Sequence, residues 1–200
     1  MGLDVGDEYV GKDGISSWMM AVDDKFNPFS GDQLGRSRRN LRWDHLIMVV
    51  RDIKDAVPSV IVENRHAPNS FAFRQKWVKK IIGADLADCG DEITAAIGSI
   101  VSWSQIILDQ KPVLQFRIED QQHLFREYVA SVASRLNHNI NIEDVKVNAA
   151  KLYGGVRPKK PAVDPTKWDA LAPEVKRKVV WYSETFGYKS PVALDRSAQV

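Results

Sequence analysis

The chain has 200 residues, 44% of them hydrophobic and 27% charged, with a formal net charge of +2. This composition is typical of a folded globular domain and excludes collagenous, disulfide-rich and disordered classes. Its single cysteine, Cys89, excludes an internal disulfide and favours a reducing compartment, so we expect the protein in the cytoplasm or a similar environment, a virion included.

The small net charge hides a strong segregation along the chain. Residues 1–35 have a net charge of −5 and residues 36–83 of +7, whereas residues 84–155 and 156–200 have −4 and +4. Such blocks predict either a basic face for a polyanion or complementary surfaces that meet between subunits. A third interpretation is that solvated faces cluster without any partner.

The composition divides the chain into three predicted segments. Residues 1–35 are expected to form an acidic N-terminal arm, in which residues 15–22 make one or two helical turns. Residues 36–155 are expected to form a helical core. Residues 156–200 form a C-terminal helical arm, joined through the proline-rich stretch VRPKKPAVDP, which favours a stiff, extended linker.

The central element of the core is predicted at residues 93–108, ITAAIGSIVSWSQIIL. This run has no charged side chain and is apolar on nearly every side of a helical projection, which is typical of a buried helix. It is shorter than the roughly 20 residues that cross a bilayer, so no membrane insertion is expected. The glycine-rich, acidic N-terminus does not resemble a signal peptide either.

Before this helix, apolar residues at helical spacing predict a helix that Asn40 caps and Pro58 ends. Residues 59–63 are β-branched and predict a strand or extended chain, and residues 64–70 predict a loop. Residues 71–82 then predict an amphipathic helix closed by Gly83. Its apolar side is expected to include Ile81 and Ile82.

After the central helix, residues 111–118 are extended in character, and a helix is predicted from residue 119 or 120 to about 136. Asn141 is expected to cap another helix at residues 142–153. Pro173 and Gly187 bracket a last helix at residues 173–186, and the chain from Tyr188 is expected to be loose. The predicted fold is mainly α: a single domain of about six helices around a central buried helix (about residues 91–109), with little sheet and extended terminal arms.

No pattern in the sequence points to catalysis. There is no glycine-rich phosphate loop, the four histidines have no metal-ligand spacing, and no serine lies in a nucleophile elbow. Each acidic pair stands near a proposed helix start, where the helix dipole explains it. We therefore expect a non-enzymatic protein without cofactor, metal or catalytic residues, although a catalytic set assembled only by the fold stays open.

The basic residues give the clearer signal, because four arginines occupy seven positions in RSRRNLR and a second group surrounds Trp77. Arginine chelates phosphate, and nearby aromatic rings can stack on unpaired bases. No named nucleic-acid motif matches, so sequence-independent backbone binding is predicted. The predicted nucleic-acid-binding residues are Arg36, Arg38, Arg39, Arg42, Arg74, Lys76, Lys79 and Lys80.

The last helix carries apolar residues that a solvated arm would not keep. We expect it to dock on a remote patch of its own core or, with slight preference, on a neighbouring subunit, which gives a homo-oligomer. The predicted interface residues are Trp168, Val175, Val179, Trp181 and Phe186.

Together these features favour a self-associating structural protein that binds nucleic acid, RNA rather than DNA, and that is similar in plan to coat proteins and nucleoproteins. The alternative is a helical adaptor or regulatory module whose basic face binds an acidic protein partner.

Overall fold

The computed structural model describes residues 5–7, 14–22, 45–144 and 163–194, and most of these residues are helical. Among them are six α-helices and two pairs of short strands. The helices are α1 (Ile53–His66), α2 (Pro68–Ile82), α3 (Glu92–Leu108), α4 (Gln121–Arg135), α5 (Pro165–Asp169) and α6 (Pro173–Thr185). The strands are β1 (Val5–Asp7), β2 (Gly14–Ser16), β3 (Ile47–Val50) and β4 (Leu114–Arg117). The prediction of a mainly α fold is confirmed.

Helix α3 is the predicted central helix, and it is buried along most of its length. It begins one residue earlier than predicted and ends at the predicted residue. Gly98 lets the turn Leu86–Asp88 approach closely, since a Cβ there would lie 3.0 Å from a methyl group of Leu86. The buried residues of α3 are Ala96, Ile97, Gly98, Ser99, Val101, Ser102, Trp103, Ser104 and Ile106.

The chain divides into two compact units, Met1–Val49 with Ile107–Arg157, and Val50–Ile106 with Pro158–Val200. In the first unit, β1 and β2 pair in parallel with Val5 opposite Gly14. Strand β3 pairs with β4, which confirms the extended character of residues 111–118.

Helix α4 belongs to the first unit and matches its prediction closely. It ends at Arg135 and buries Val129 and Val132. Further along, the Asn141 side chain accepts a hydrogen bond from the Glu143 backbone N–H at 3.3 Å, which confirms Asn141 as a cap. The turn that follows is described as Ile142–Asp144, and the rest of the helix predicted at residues 142–153 lies outside the described residues.

The elements before α2 differ from their prediction. Pro58 does not end a helix; it is a buried residue inside α1, which begins at Ile53 with an Asp52 cap. A proline at this position removes one backbone hydrogen bond, and the burial of its ring offsets part of that cost. Residues 59–63 are helical too, because burying the side chain of Ile61 outweighs their strand propensity. The predicted cap Asn40 lies outside the described residues.

The predicted loop at residues 64–70 is a break of one residue between α1 and α2. Ala67 has φ −129° and ψ 69°. The residue before a proline is disfavoured in the helical region, and Pro68 is then well suited to the first position of α2. The two helices are therefore separated by a single residue where the sequence indicates a longer connection.

The C-terminal segment packs in the second unit, where α6 contacts α1. Helix α6 begins at Pro173, and Gly187 follows it with φ +71°, so both predicted ends are confirmed. Residues after the helix are ordered further than expected: the Tyr188 N–H donates to the Ser183 carbonyl at 2.7 Å, and Val192 is buried.

Candidate nucleic-acid interface

Helix α2 carries the described part of the predicted basic face. The helix ends where Gly83 adopts φ +78°, and its sequence, PNSFAFRQKWVKKII, holds no acidic residue. Lysines near a helix C-terminus interact favourably with the helix dipole, so they also stabilise the helix without any ligand. Lys76, Lys79 and Lys80 are all exposed. We call these three residues the lysine patch.

Trp77 lies beneath the lysine patch and is only 8% exposed. The Nζ atoms of Lys76 and Lys80 lie 5.3 Å and 4.5 Å from its ring centroid, within cation–π range. On the inner side, Phe73 lies between Trp77 and Trp103, with ring centroids 6.5 Å and 6.1 Å apart. The indole is thus part of the core and holds the two lysines in place. The sequence predicts that aromatic rings beside the basic residues stack on bases, but the buried ring of Trp77 is not accessible for such stacking.

Lys79 forms an ion pair with Asp85, at 2.6 Å between Nζ and Oδ2. Hydrogen bonding to Asp85 raises the pKa of Lys79, and the same bond, with the Ala87 N–H, lowers the pKa of Asp85. The positive charge of Lys79 is therefore partly offset within the chain.

Arg74 does not belong to this surface, although the sequence predicted it there. Its side chain is buried, and its Nη2 lies 3.2 Å from the Glu63 carboxylate and 3.0 Å from the Asn64 amide oxygen. Burial lowers the pKa of Arg74, and the neighbouring Glu63 charge opposes that shift. Arg74 therefore links α2 to α1, which explains its presence on the buried face of the helix.

The last turn of α2 also differs from the prediction. Ile81 and Ile82 were expected on the buried side, but they are 47% and 38% exposed. They lie one helical turn beyond Trp77 and Val78, the last buried residues of α2. The apolar stripe thus extends past the region in which the helix packs, a feature that helical periodicity cannot reveal. The other predicted contacts, Arg36, Arg38, Arg39 and Arg42, lie outside the described residues.

The predicted protein-interface residues are largely inside the chain's own core. Trp168, Val175, Val179 and Phe186 are buried, and Trp181 is half-buried. Nearby, the Tyr182 hydroxyl donates to the Arg51 carbonyl at 2.8 Å. A neighbouring subunit could reach these side chains only by replacing contacts that the chain already makes.

A separate cleft of about 390 Å³ lies in the second unit between α1 and the start of α3. Arg65 and Glu92 form a bidentate ion pair at its edge, with distances of 2.8 Å and 2.5 Å. Burial raises the pKa of the Cys89 thiol in its lining, which makes that thiol less reactive. Its lining residues are Ile61, Asn64, Arg65, Phe71, Leu86, Ala87, Cys89, Gly90, Asp91, Glu92 and Ala95.

Among the residues that the structure describes, no group of three or more His, Cys, Asp or Glu side chains could hold a metal ion. No described helix is both long and apolar enough to span a membrane. Comparison of the chain with protein-family models, with curated proteins and with solved structures gives no match.

Proposed function

We propose that this chain is a non-catalytic protein that binds the phosphate backbone of nucleic acid through the lysine patch. The observation that carries the proposal is the exposure of Lys76, Lys79 and Lys80 on a helix without acidic side chains. Ammonium groups interact with phosphates as point charges, and neutralising phosphates releases condensed counterions. Such binding is independent of base sequence and depends strongly on salt.

The arginine-rich stretch RSRRNLR supports the same function from the sequence. Arg36, Arg38, Arg39 and Arg42 would add phosphate contacts to those of the lysine patch. Backbone binding without sequence preference is the property that a coat protein or a nucleoprotein needs, and RNA is the polyanion that we propose.

The test is fluorescence anisotropy with a labelled RNA of about 20 nucleotides between about 50 and 200 mM salt. We expect log affinity to fall with log salt by about 0.7 per phosphate contact on a single strand. Lys76→Gln with Lys80→Gln should weaken binding and flatten this slope. Lys167→Gln with Lys189→Gln removes the same charge from two exposed lysines outside the patch and is the matched control.

Arg38→Ala, Arg39→Ala and Arg42→Ala together should weaken binding to all sequences alike. A wild-type chain that binds no RNA at about 50 mM salt would refute the proposed function. Loss of binding in the control variant, equal to that in the patch variant, would show that only total charge matters.

Self-association through the C-terminal segment is the second part of the proposal. Helix α6 contacts α1 within one chain, and the same contacts can form between two copies if the segment is exchanged. Three prolines in VRPKKPAVDP favour an extended connection, which suits such an exchange. Light scattering of the full chain at high concentration tests it, and a strict monomer with and without RNA would refute it.

A further inference from the structure

The last turn of α2 combines exposed apolar surface with positive charge. Ile81 and Ile82 are 47% and 38% exposed, and they directly follow Lys79 and Lys80. Gly83 then ends the helix. The folding of α2 does not require isoleucine at these two positions, because neither side chain is buried. These two adjoining isoleucines beside lysines form a small surface that offers both apolar contact and positive charge.

The charges of this turn restrict its partner. The three lysines favour a polyanion, and Asp85, which is bonded to Lys79, offsets part of their charge. A partner must therefore present negative groups to the lysines and an apolar surface to the isoleucines within the last two turns of the helix.

The backbone of a duplex presents negative groups to the lysines but no apolar surface to the isoleucines. Its phosphates and sugars face outwards, and its bases are stacked inside, so the isoleucines would stay in contact with water. A single strand can turn unstacked bases towards a protein while its phosphates bind basic side chains. Every base has a broad apolar face, so such contacts tolerate any sequence.

We infer that the last turn of α2 selects single-stranded over double-stranded nucleic acid, with base faces covering Ile81 and Ile82 while phosphates bind the lysine patch. This inference rests on the proposed function and names its substrate class. It assigns to aliphatic side chains the role that aromatic rings have in many single-strand-binding proteins. Trp77 cannot take that role because it is buried beneath Lys76 and Lys80.

The experiment compares a 20-nucleotide RNA with the duplex of the same sequence, both at about 100 mM salt. We expect the wild-type chain to bind the single strand at least about tenfold more tightly than the duplex. Ile81→Gln with Ile82→Gln should remove most of this preference, while its affinity for the duplex and its salt slope stay close to wild type. Lys76→Gln with Lys80→Gln should weaken both complexes and flatten both slopes.

Circular dichroism and thermal melting establish that each variant folds, which we expect because the substituted side chains are exposed. Equal wild-type affinity for single strand and duplex, or an isoleucine variant that keeps the preference, would overturn the inference and leave the proposed function intact. A wild-type chain that binds neither nucleic acid, but binds phosphatidylserine vesicles or an acidic amphipathic peptide, would overturn both.

Discussion

The role of Arg74 in the structure differs from the role that the sequence predicts. Its neighbours on α2 include the lysine patch, but its guanidinium contacts Glu63 and Asn64 on α1, and the residue as a whole is only 6% exposed. A buried cation is expensive unless it is paired and hydrogen-bonded, and Arg74 meets both conditions. Its contribution is therefore to the packing of α1 against α2.

Replacing Arg74 tests this assignment. Arg74→Met should lower the free energy of unfolding by about 2–3 kcal/mol, below the roughly 3–5 kcal/mol of a fully buried pair because Glu63 reaches solvent. The side chain of Glu63 is 36% exposed. Urea denaturation measures the loss, and the double variant Arg74→Met with Glu63→Gln should recover part of it. If the Arg74→Met variant kept wild-type stability but no longer bound RNA, Arg74 would be a binding residue and not a packing residue.

The N-terminus of α3 illustrates stabilisation at the scale of an element. One oxygen of Asp91 accepts hydrogen bonds from the N–H groups of Ile93 and Thr94 at 2.8 Å and 2.9 Å. The other accepts from the Thr94 hydroxyl at 2.7 Å. These bonds satisfy backbone donors that the first turn of a helix leaves unpaired, and the negative charge suits the helix dipole. Local capping thus stabilises the start of a helix whose other residues are mostly apolar.

Asp91→Ala should lower the free energy of unfolding by about 1 kcal/mol at neutral pH, since it removes both acceptors. Asp91→Asn keeps one acceptor and should cost less. Measuring both by thermal or urea denaturation separates the hydrogen bonds from the charge. A cost for Asn equal to that for Ala would mean that the carboxylate charge alone matters.

The same comparison has a defined pH dependence. Burial by itself would raise the pKa of Asp91, but the hydrogen bonds from Thr94 and Ile93 outweigh it and hold this pKa below its usual value. The charged cap is therefore fully stabilising above the unfolded-state pKa of about 3.9, and its contribution is lost as pH falls through the lower folded-state value. We expect the stability gap between wild type and Asp91→Asn to be constant above about pH 5 and to shrink below about pH 4.

At the scale of the whole molecule, the C-terminal segment completes the core of the second unit. It supplies Trp168, Val175, Val179, Tyr182 and Phe186 to the interior. From the sequence, this segment is predicted to dock on a remote patch of its own core or, with slight preference, on a neighbouring subunit. The contacts of α6 with α1 place it against its own chain, in the unit that begins at Val50.

Ending the chain at residue 162 should therefore abolish cooperative unfolding of the second unit. Each of the buried side chains lost contributes about 1.5–3 kcal/mol, and their sum is comparable to the total stability of about 5–15 kcal/mol of a domain. Thermal denaturation followed by circular dichroism measures this. Tyr182→Phe, which removes the bond to the Arg51 carbonyl and keeps the ring, is the mild control and should cost about 1 kcal/mol. A truncated chain that melts cooperatively at the wild-type temperature would show that the segment is a dispensable arm.

The sequence by itself determined the elements whose signals are local. An uncharged apolar run placed α3, Pro173 and Gly187 bounded α6, and Gly83 ended α2. Each of these signals acts through the backbone or the solvent within one or two helical turns, so no knowledge of neighbours was needed. The exposure of Lys76, Lys79 and Lys80 followed in the same way from their place opposite the apolar stripe.

Only the tertiary structure decided which surface of each helix packs against another element. It placed Pro58 inside a helix, buried Trp77, buried Arg74 beside Glu63, and left Ile81 and Ile82 exposed. In each case the outcome depends on a side chain from another element, or on the point at which packing against that element stops. Periodicity specifies which face of a helix is apolar, but burial is a property of two surfaces, and the second surface is supplied by residues remote in the chain.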